Sequence, residues 1–166
     1  MGALLILAAA GMAALMHLRD KRSRLEACRS VASALRLLRG ELAARSLPLG
    51  EAVEHVQSRT KGLGKELMRS VTEQLPELGE VSFQQIWTDA LEGCCMVLDP
   101  GALEELRGLG PVLGSFDLDV QLRSLEVVIS YLEVIWEQQR GGYPAQRRLL
   151  LSLYLAMSCF LVILLL

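Results

Sequence analysis

The sequence predicts an all-α fold, an antiparallel bundle of about six helices flanked by an N-terminal and a C-terminal transmembrane helix. Three observations lead there. Residues 2–18 and 149–166 hold no Asp, Glu, Lys or Arg, while all 17 basic and all 19 acidic residues of the 166 lie between them. In that middle part apolar residues recur three and four positions apart, and no stretch alternates cleanly with period two. Pro and Gly punctuate the pattern closely, which leaves turns too short for a lid or a separate domain. With 52% hydrophobic and 22% charged residues so unevenly placed, a simple soluble protein is excluded.

Each apolar end forms a helix of roughly 26 Å at ~1.5 Å per residue, the short limit for crossing a hydrocarbon core. A cleavable leader carries its positive charges ahead of the apolar run. Here Arg19, Lys21, Arg22 and Arg24 follow it, which predicts a retained anchor over residues 1–18. Arg140, Arg147 and Arg148 precede the second span at 149–166. Both membrane-adjacent ends of the middle segment are therefore positive, which predicts a cytoplasmic domain over 19–140, a basic linker at 141–148, and both termini on the opposite side.

In the first bundle helix Leu25, Cys28, Ala32, Leu35, Arg39 and Leu42 share one face. No Pro or Gly stands between Leu18 and Leu38, so this helix is expected to continue straight out of the first span. Pro48 suits the first turn of a second helix carrying Ala52, Val53 and Val56, with Gly62 and Gly64 expected to end it. Leu63, Leu67, Met68, Val71 and Leu75 form the face of a third helix that stops at Pro76. Ser82 and Gln85 make an S-x-x-Q capping box, with Val81 and Ile86 as a hydrophobic staple, and open a fourth helix that buries Phe83, Ile86, Trp87, Ala90, Leu91 and Cys94. Asp99-Pro100 begins a short fifth helix through Leu103 and Leu106 to Gly108, and Gly110-Pro111 and Gly114 read as the next turn. Asp117 caps a long last helix in which Leu118, Leu122, Leu125, Ile129, Leu132 and Trp136 repeat, before Gly141-Gly142 and Pro144.

Charge is sorted along the chain. Residues 19–69 hold twelve basic and six acidic groups, residues 70–137 two basic and thirteen acidic. The acidic later helices suit a basic protein partner, with Asp89, Glu104 and Glu105 as candidate contacts; the competing reading is that the two halves pack together and neutralise each other. Nucleic acid is not expected, because the basic residues gather near the membrane without aromatic interleaving.

Signals for chemistry are weak. Gly62-Leu63-Gly64-Lys65 looks like part of a phosphate loop, but Arg59 stands where its first Gly is required and Glu66 where Ser or Thr is required. Ser58-Arg59-Thr60-Lys61 satisfies S-x-x-K, a pattern short enough to arise by chance. His17 and His55 lack a neighbouring Cys or paired acid, and Glu104 and Glu105 are consecutive and point apart. The four cysteines show no C-x-x-C, and the adjacent Cys94 and Cys95 read as small fillers on a helix rather than a redox pair. No catalytic residue, metal or cofactor is expected.

Two stretches carry a family resemblance. Leu35-Arg36-Leu37-Leu38 followed by Leu47-Pro48-Leu49-Gly50-Glu51-Ala52-Val53 resembles the opening helices of the stage III sporulation protein AB family, and residues 113–121, LGSFDLDVQ, match its L-G-x-x-D-x-x-x-Q element at every specified position. The order of spans and helical domain fits as well. One departure is the start of the last span, where that family usually places a Leu-Gly with a further glycine; here Tyr143-Pro144 leads through Arg147 and Arg148 into Leu149-Leu150-Leu151. Ser152 and Ala156 are the small residues available there to meet Ala9, Ala10, Ala13 and Ala14 of the first span.

The resemblance implies a non-enzymatic membrane platform in the channel between mother cell and forespore of endospore-forming bacteria, similar to the cytoplasmic domains of the type II secretion inner-membrane platform protein F. It implies, as partners, a cytoplasmic secretion-type ATPase (stage III sporulation protein AA) and other channel components; a homo-oligomer is compatible with that role. Asp117 and Gln121 of the shared element then have two readings, a partner contact or a cap and an internal hydrogen bond. The alternative function is a two-span membrane sensor or enzyme with a small-molecule pocket inside the bundle.

Overall fold

The computed structural model describes the backbone of residues 2–45, 47–115 and 117–141, and side chains from 23 to 138 apart from 45, 46 and 116. Within them lie six α-helices: α1 (Gly2–Arg45), α2 (Leu49–Arg59), α3 (Gly62–Gln74), α4 (Phe83–Cys94), α5 (Pro100–Leu113) and α6 (Leu118–Gly141), with a 3-10 turn at Leu75–Glu77. No strand is present among the described residues. The all-α bundle is as the spacing predicts. Among residues with described side chains no helix is long and apolar enough to cross a membrane, and the candidate spans at 1–18 and 149–166 lie outside them.

The backbone of α1 is unbroken from Gly2 to Arg45, so the helix that enters the bundle is the continuation of the apolar N-terminal segment. Inside the bundle α1 contacts α2, α3 and α6; α3 leads to α4, α4 pairs with α5, and α5 packs on α6, closing a ring of neighbours. α1 and α6 are antiparallel. Cys28 Sγ approaches the Leu132 carbonyl at 3.5 Å, Arg29 lies 5.6 Å over the Trp136 ring, and Arg39 Nε pairs with Glu126 at 2.9 Å. The core centres on Val31, Ala34, Leu35 and Leu38 of α1, Leu67, Met68 and Val71 of α3, Trp87 and Leu91 of α4, Leu106 and Leu109 of α5, and Leu125 and Leu132 of α6. Burial of such side chains is worth about 1.5–3 kcal/mol each, and their sum drives the assembly.

The starts of α4, α5 and α6 are built as capping chemistry requires. Ser82 Oγ accepts from Gln85 N at 3.3 Å, Asp99 Oδ1 from Gly101 N at 3.0 Å, and Asp117 Oδ1 from Val120 N at 3.1 Å. The capping box is only half formed: the Gln85 amide donates forward to Asp89 Oδ1 at 2.8 Å rather than back to the cap.

Two glycine signals act differently from the sequence reading. Gly62 and Gly64 do not end α2; Thr60 caps it, and the glycines open α3. Gly62 has φ +59°, and a Cβ on Gly64 would stand 2.4 Å from the Ser30 carbonyl oxygen. Ser30 Oγ fixes this crossing by donating to Lys61 O at 2.5 Å and accepting from Gly64 N at 2.9 Å. Likewise α5 does not stop at Gly108 but runs through Gly110 and Pro111 to Leu113. Gly110 lets α4 approach, since a Cβ there would lie 3.2 Å from Trp87 Cδ1, and Pro111 sits inside the last turn, where it removes one intrahelical hydrogen bond without ending the helix. The Trp87 indole N–H donates to the Leu106 carbonyl at 2.7 Å across the same contact.

These placements predict opposite signs for two Gly→Ala substitutions. Gly64→Ala forces α1 and α3 apart and is expected to destabilise by about 2–3 kcal/mol. Gly40→Ala, with nothing within 4 Å of the added Cβ and a helix interior around it, is expected to stabilise by up to about 1 kcal/mol. Urea unfolding of the two variants beside the parent checks both signs.

Candidate partner-docking surfaces

The sequence-selected acids fall on α4 and α5, the helix pair joined to α1 through α3 on one side and α6 on the other. Asp89 and Glu92 are one turn apart on α4. Arg107 of α5 reaches Glu92 at 3.3 Å and its own Glu104 at 3.6 Å, so the packing gathers these two acids around a single arginine, with the exposed Asp89 one turn before Glu92. Glu104 is 79% exposed at its side chain, and Glu105, next in sequence, is also exposed. The row can meet basic groups on another molecule without desolvating its carboxylates first.

Asp117 and Gln121 are placed otherwise. Asp117 is exposed and caps α6. Gln121 is buried, and its side-chain amide donates to Leu113 O at 3.0 Å and Ser115 O at 2.6 Å, tying the first turn of α6 back to the end of α5. Its amide is therefore turned into the α5–α6 corner and not outward. Leu113 is fully buried beneath it, and the Cβ of Phe83 lies 3.3 Å from where a Cβ on Gly114 would stand.

Of the basic residues expected from the sequence to flank the spans, Arg24 is exposed on α1; the side chains of Arg19, Lys21 and Arg22, and Arg147 and Arg148 altogether, lie outside the described residues. Higher on α1, Arg36 pairs with Glu133 and Arg39 with Glu126, both on α6. Part of the charge sorted along the sequence is thus neutralised inside the molecule. Between α1 and α6 an open groove of about 360 Å³ is lined by Arg29, Ser33, Arg36, Glu133, Trp136 and Glu137.

Glu41 is the buried acid that sequence reasoning missed. It is 7% exposed, with Arg59 Nη1 at 2.8 Å and His55 Nδ1 at 3.7 Å, so the histidine and an α2 arginine close over the upper part of α1. A clue existed in its i−3 and i+1 neighbours Leu38 and Leu42, which put position 41 at the margin of the buried face. Ser58 Oγ donates to the His55 carbonyl at 2.7 Å, a local turn bond, so the S-x-x-K pattern gathers no nucleophile and base. Among the described residues no three His, Cys, Asp or Glu side chains are grouped as metal ligands.

Cys94 and Cys95 sit at the end of α4 with their sulfurs 3.5 Å apart. The Cys95 contact holds the half-buried Cys94 thiol below its ordinary pKa, whereas the same contact and burial push Cys95 far upward. Cys28, packed against α6, is raised to about 11 by burial and by Asp99.

The family model for stage III sporulation protein AB matches residues 1–166, the whole chain. The chain belongs to that family. A solved structure of a stage III sporulation protein AB aligns with a TM-score of 0.65 over 74% of this chain and 97% of that one, at 21% identity, and so shares the fold. No curated protein matches the chain. A role connected with sporulation follows from the family.

Two predictions follow from the local chemistry. Gln121→Leu removes both corner bonds and leaves buried carbonyls unserved, so it should cost about 1–3 kcal/mol in thermal unfolding, more than the ~1 kcal/mol expected for Asp117→Ala. With a limiting amount of iodoacetamide near neutral pH, Cys94 should be alkylated ahead of Cys28 and Cys95, as peptide mass spectrometry would read; equal labelling of Cys28 would contradict the packing of its thiol.

Proposed function

We propose that the chain is a non-enzymatic, membrane-anchored platform of the sporulation channel, held by spans at 1–18 and 149–166 and docking a cytoplasmic secretion-type ATPase on the acidic face of α4 and α5. One observation supports the anchoring more than any other. The antiparallel packing of α1 on α6, through Cys28–Leu132 and Arg29–Trp136, brings the N-terminal part of α1 and the C-terminal end of α6 to the same end of the bundle. A two-pass protein with one domain between its spans requires that arrangement. The basic residues Arg19, Lys21, Arg22, Arg24, Arg147 and Arg148 flank that end in sequence and favour its cytoplasmic side.

The remaining parts agree with a mechanical role. α1 is a single helix, and at ~1.5 Å per residue its distance from residue 18 to residue 45 is roughly 40 Å. Displacement applied to the far end of the bundle is then transmitted through one continuous rod and its partner α6 rather than through a hinge. The acids Asp89, Glu104 and Glu105 stand on the α4–α5 side, away from the arginines that α6 has already neutralised. A basic surface on the motor protein would be steered there, and salt would weaken the encounter.

The test is binding of the full chain in lipid nanodiscs to the stage III sporulation protein AA ATPase of the same organism, at low and moderate salt. Reversal of Asp89, Glu104 and Glu105 to Lys should weaken the complex about tenfold and flatten its salt dependence. Affinity unchanged by all three reversals would remove the acidic face from the docking reading.

A further inference from the structure

Cys94 and Cys95 stand side by side at the end of α4, and as small packing fillers both would be buried alike. They are not: Cys95 is fully buried, whereas Cys94 is half-buried at the surface. Their sulfurs lie 3.5 Å apart, and Cys94 Sγ donates to the Ala90 carbonyl at 3.0 Å. A thiol has one proton to give, so with that of Cys94 on Ala90 it is the Cys95 S–H that donates to the Cys94 sulfur. This contact holds the Cys94 thiol below its ordinary pKa; partial burial and Glu66 of α3 oppose it, and Arg69 of α3 assists.

We propose that Cys94 is a modification site for low-molecular-weight disulfides and that Cys95 is its resolving cysteine, the pair ending as a vicinal disulfide at the C-terminus of α4. In the first step the Cys94 thiolate attacks one sulfur of the small disulfide, whose S–S bond breaks and releases one small thiolate. Cys94 then carries a mixed disulfide. In the second step Cys95 gives up its proton and attacks the Cys94 sulfur, and the other small thiolate leaves. The two protein thiols are oxidised by two electrons in all, the small disulfide is reduced to two thiols, and the two protons of the cysteines end on those thiols.

Burial assigns the roles. An external reagent reaches Cys94 and not Cys95, while Cys95 needs only to reach the sulfur beside it, the arrangement of an accessible thiolate poised next to a resolving thiol. Cys28 takes no part, since it lies on α1 packed against the Leu132 carbonyl of α6. Cα atoms joined by a trans peptide are about 3.8 Å apart, below the ~4.4–6.8 Å that a relaxed disulfide spans, so the ring is strained and easily reduced again. Its position makes that strain local. Cys95 is already outside the helix at the C-cap, held by its N–H on Leu91 O at 2.8 Å and by its carbonyl under Leu98 N at 3.0 Å. Drawing the sulfurs together disturbs those two bonds and, through the buried Leu98, the Asp99 cap of α5, so the modification alters the α4–α5 connection and leaves the core between α1 and α3 alone.

The experiment gives the full chain with Cys159→Ser, in mild detergent near neutral pH, an excess of oxidised glutathione, followed by acid quenching, intact mass measurement and peptide mapping. The parent should lose the mass of two hydrogens, with Cys94 and Cys95 linked within one peptide and glutathione on Cys94 only early in the time course. Cys95→Ala should instead keep glutathione on Cys94 as its main product, and Cys94→Ala should leave Cys95 unmodified. Should Cys95→Ala fail to fold, the order of products in the parent decides the same point. A lasting glutathione adduct on Cys94 of the parent without the link overturns the resolving role of Cys95. Labelling of Cys28 or Cys95 as fast as Cys94 overturns Cys94 as the site, and absence of any modification overturns both. Excess reduced glutathione should restore the two thiols, and a link that survives it overturns the strained, reversible ring.

Discussion

Everything in this fold depends on the close packing of α1 against its neighbours, and above all on how little space the middle of α1 occupies. Val31, Ala32, Ala34 and Leu35 bring small or branched side chains to the centre, and Gly64 of α3 meets the α1 backbone where no side chain would fit. Interiors packed at crystal-like density transmit strain instead of absorbing it. A helix held this way on three sides cannot slide against the bundle, so whatever is attached to its apolar end moves with the domain. The ion pairs Arg36–Glu133 and Arg39–Glu126 lie where α1 meets α6, but as half-exposed pairs they contribute at most about 1 kcal/mol each and act to select register more than to hold it.

The periodic part of this architecture was legible from the sequence. Helical spacing identified the buried faces of α2, α3 and α4, and Ser82, Asp99 and Asp117 marked three helix starts at the residues where the caps form. The glycines were not legible, for a physical reason. A glycine signals either a chain reversal or a close approach of two backbones, and only the partner distinguishes them. Gly62 and Gly64 depend on Ser30, some thirty residues earlier, and Gly110 depends on Trp87. Read without those partners, both sites resemble helix ends. The inner face of α1 is also wider than its three- and four-residue spacing suggested, because α2, α3 and α6 cover it from three directions and bury Val31, Ala34 and Leu38 as well.

The functional residues divide along the same line. A short polar motif shared across a family invites a reading as a binding site, yet Gln121 spends its amide on the Leu113 and Ser115 carbonyls, and Asp117 caps the helix that presents it. Leu113, Gly114, Asp117 and Gln121 are what a tight α5–α6 corner needs: a buried anchor, a residue without Cβ against Phe83, a cap and a clasp. Nothing in the motif's spelling distinguishes that from a contact surface; the burial of the glutamine does.

Charge placement completes the physical picture. The basic excess of residues 19–69 is partly consumed by α6 at Arg36 and Arg39 and by the buried Glu41 at Arg59, while Arg19, Lys21, Arg22 and Arg24 follow the apolar N-terminal segment in sequence. On α4 and α5 a single arginine, Arg107, is shared by Glu92 and Glu104 and leaves the row acidic. The two ends of the sequence asymmetry thus have different fates: part of the positive charge is paired within the molecule, and the negative part is displayed. Since exposed charges interact over about a Debye length of 8–10 Å, a row displayed on α4 and α5 keeps its acidic character where, among the described residues, no arginine beyond Arg107 reaches it.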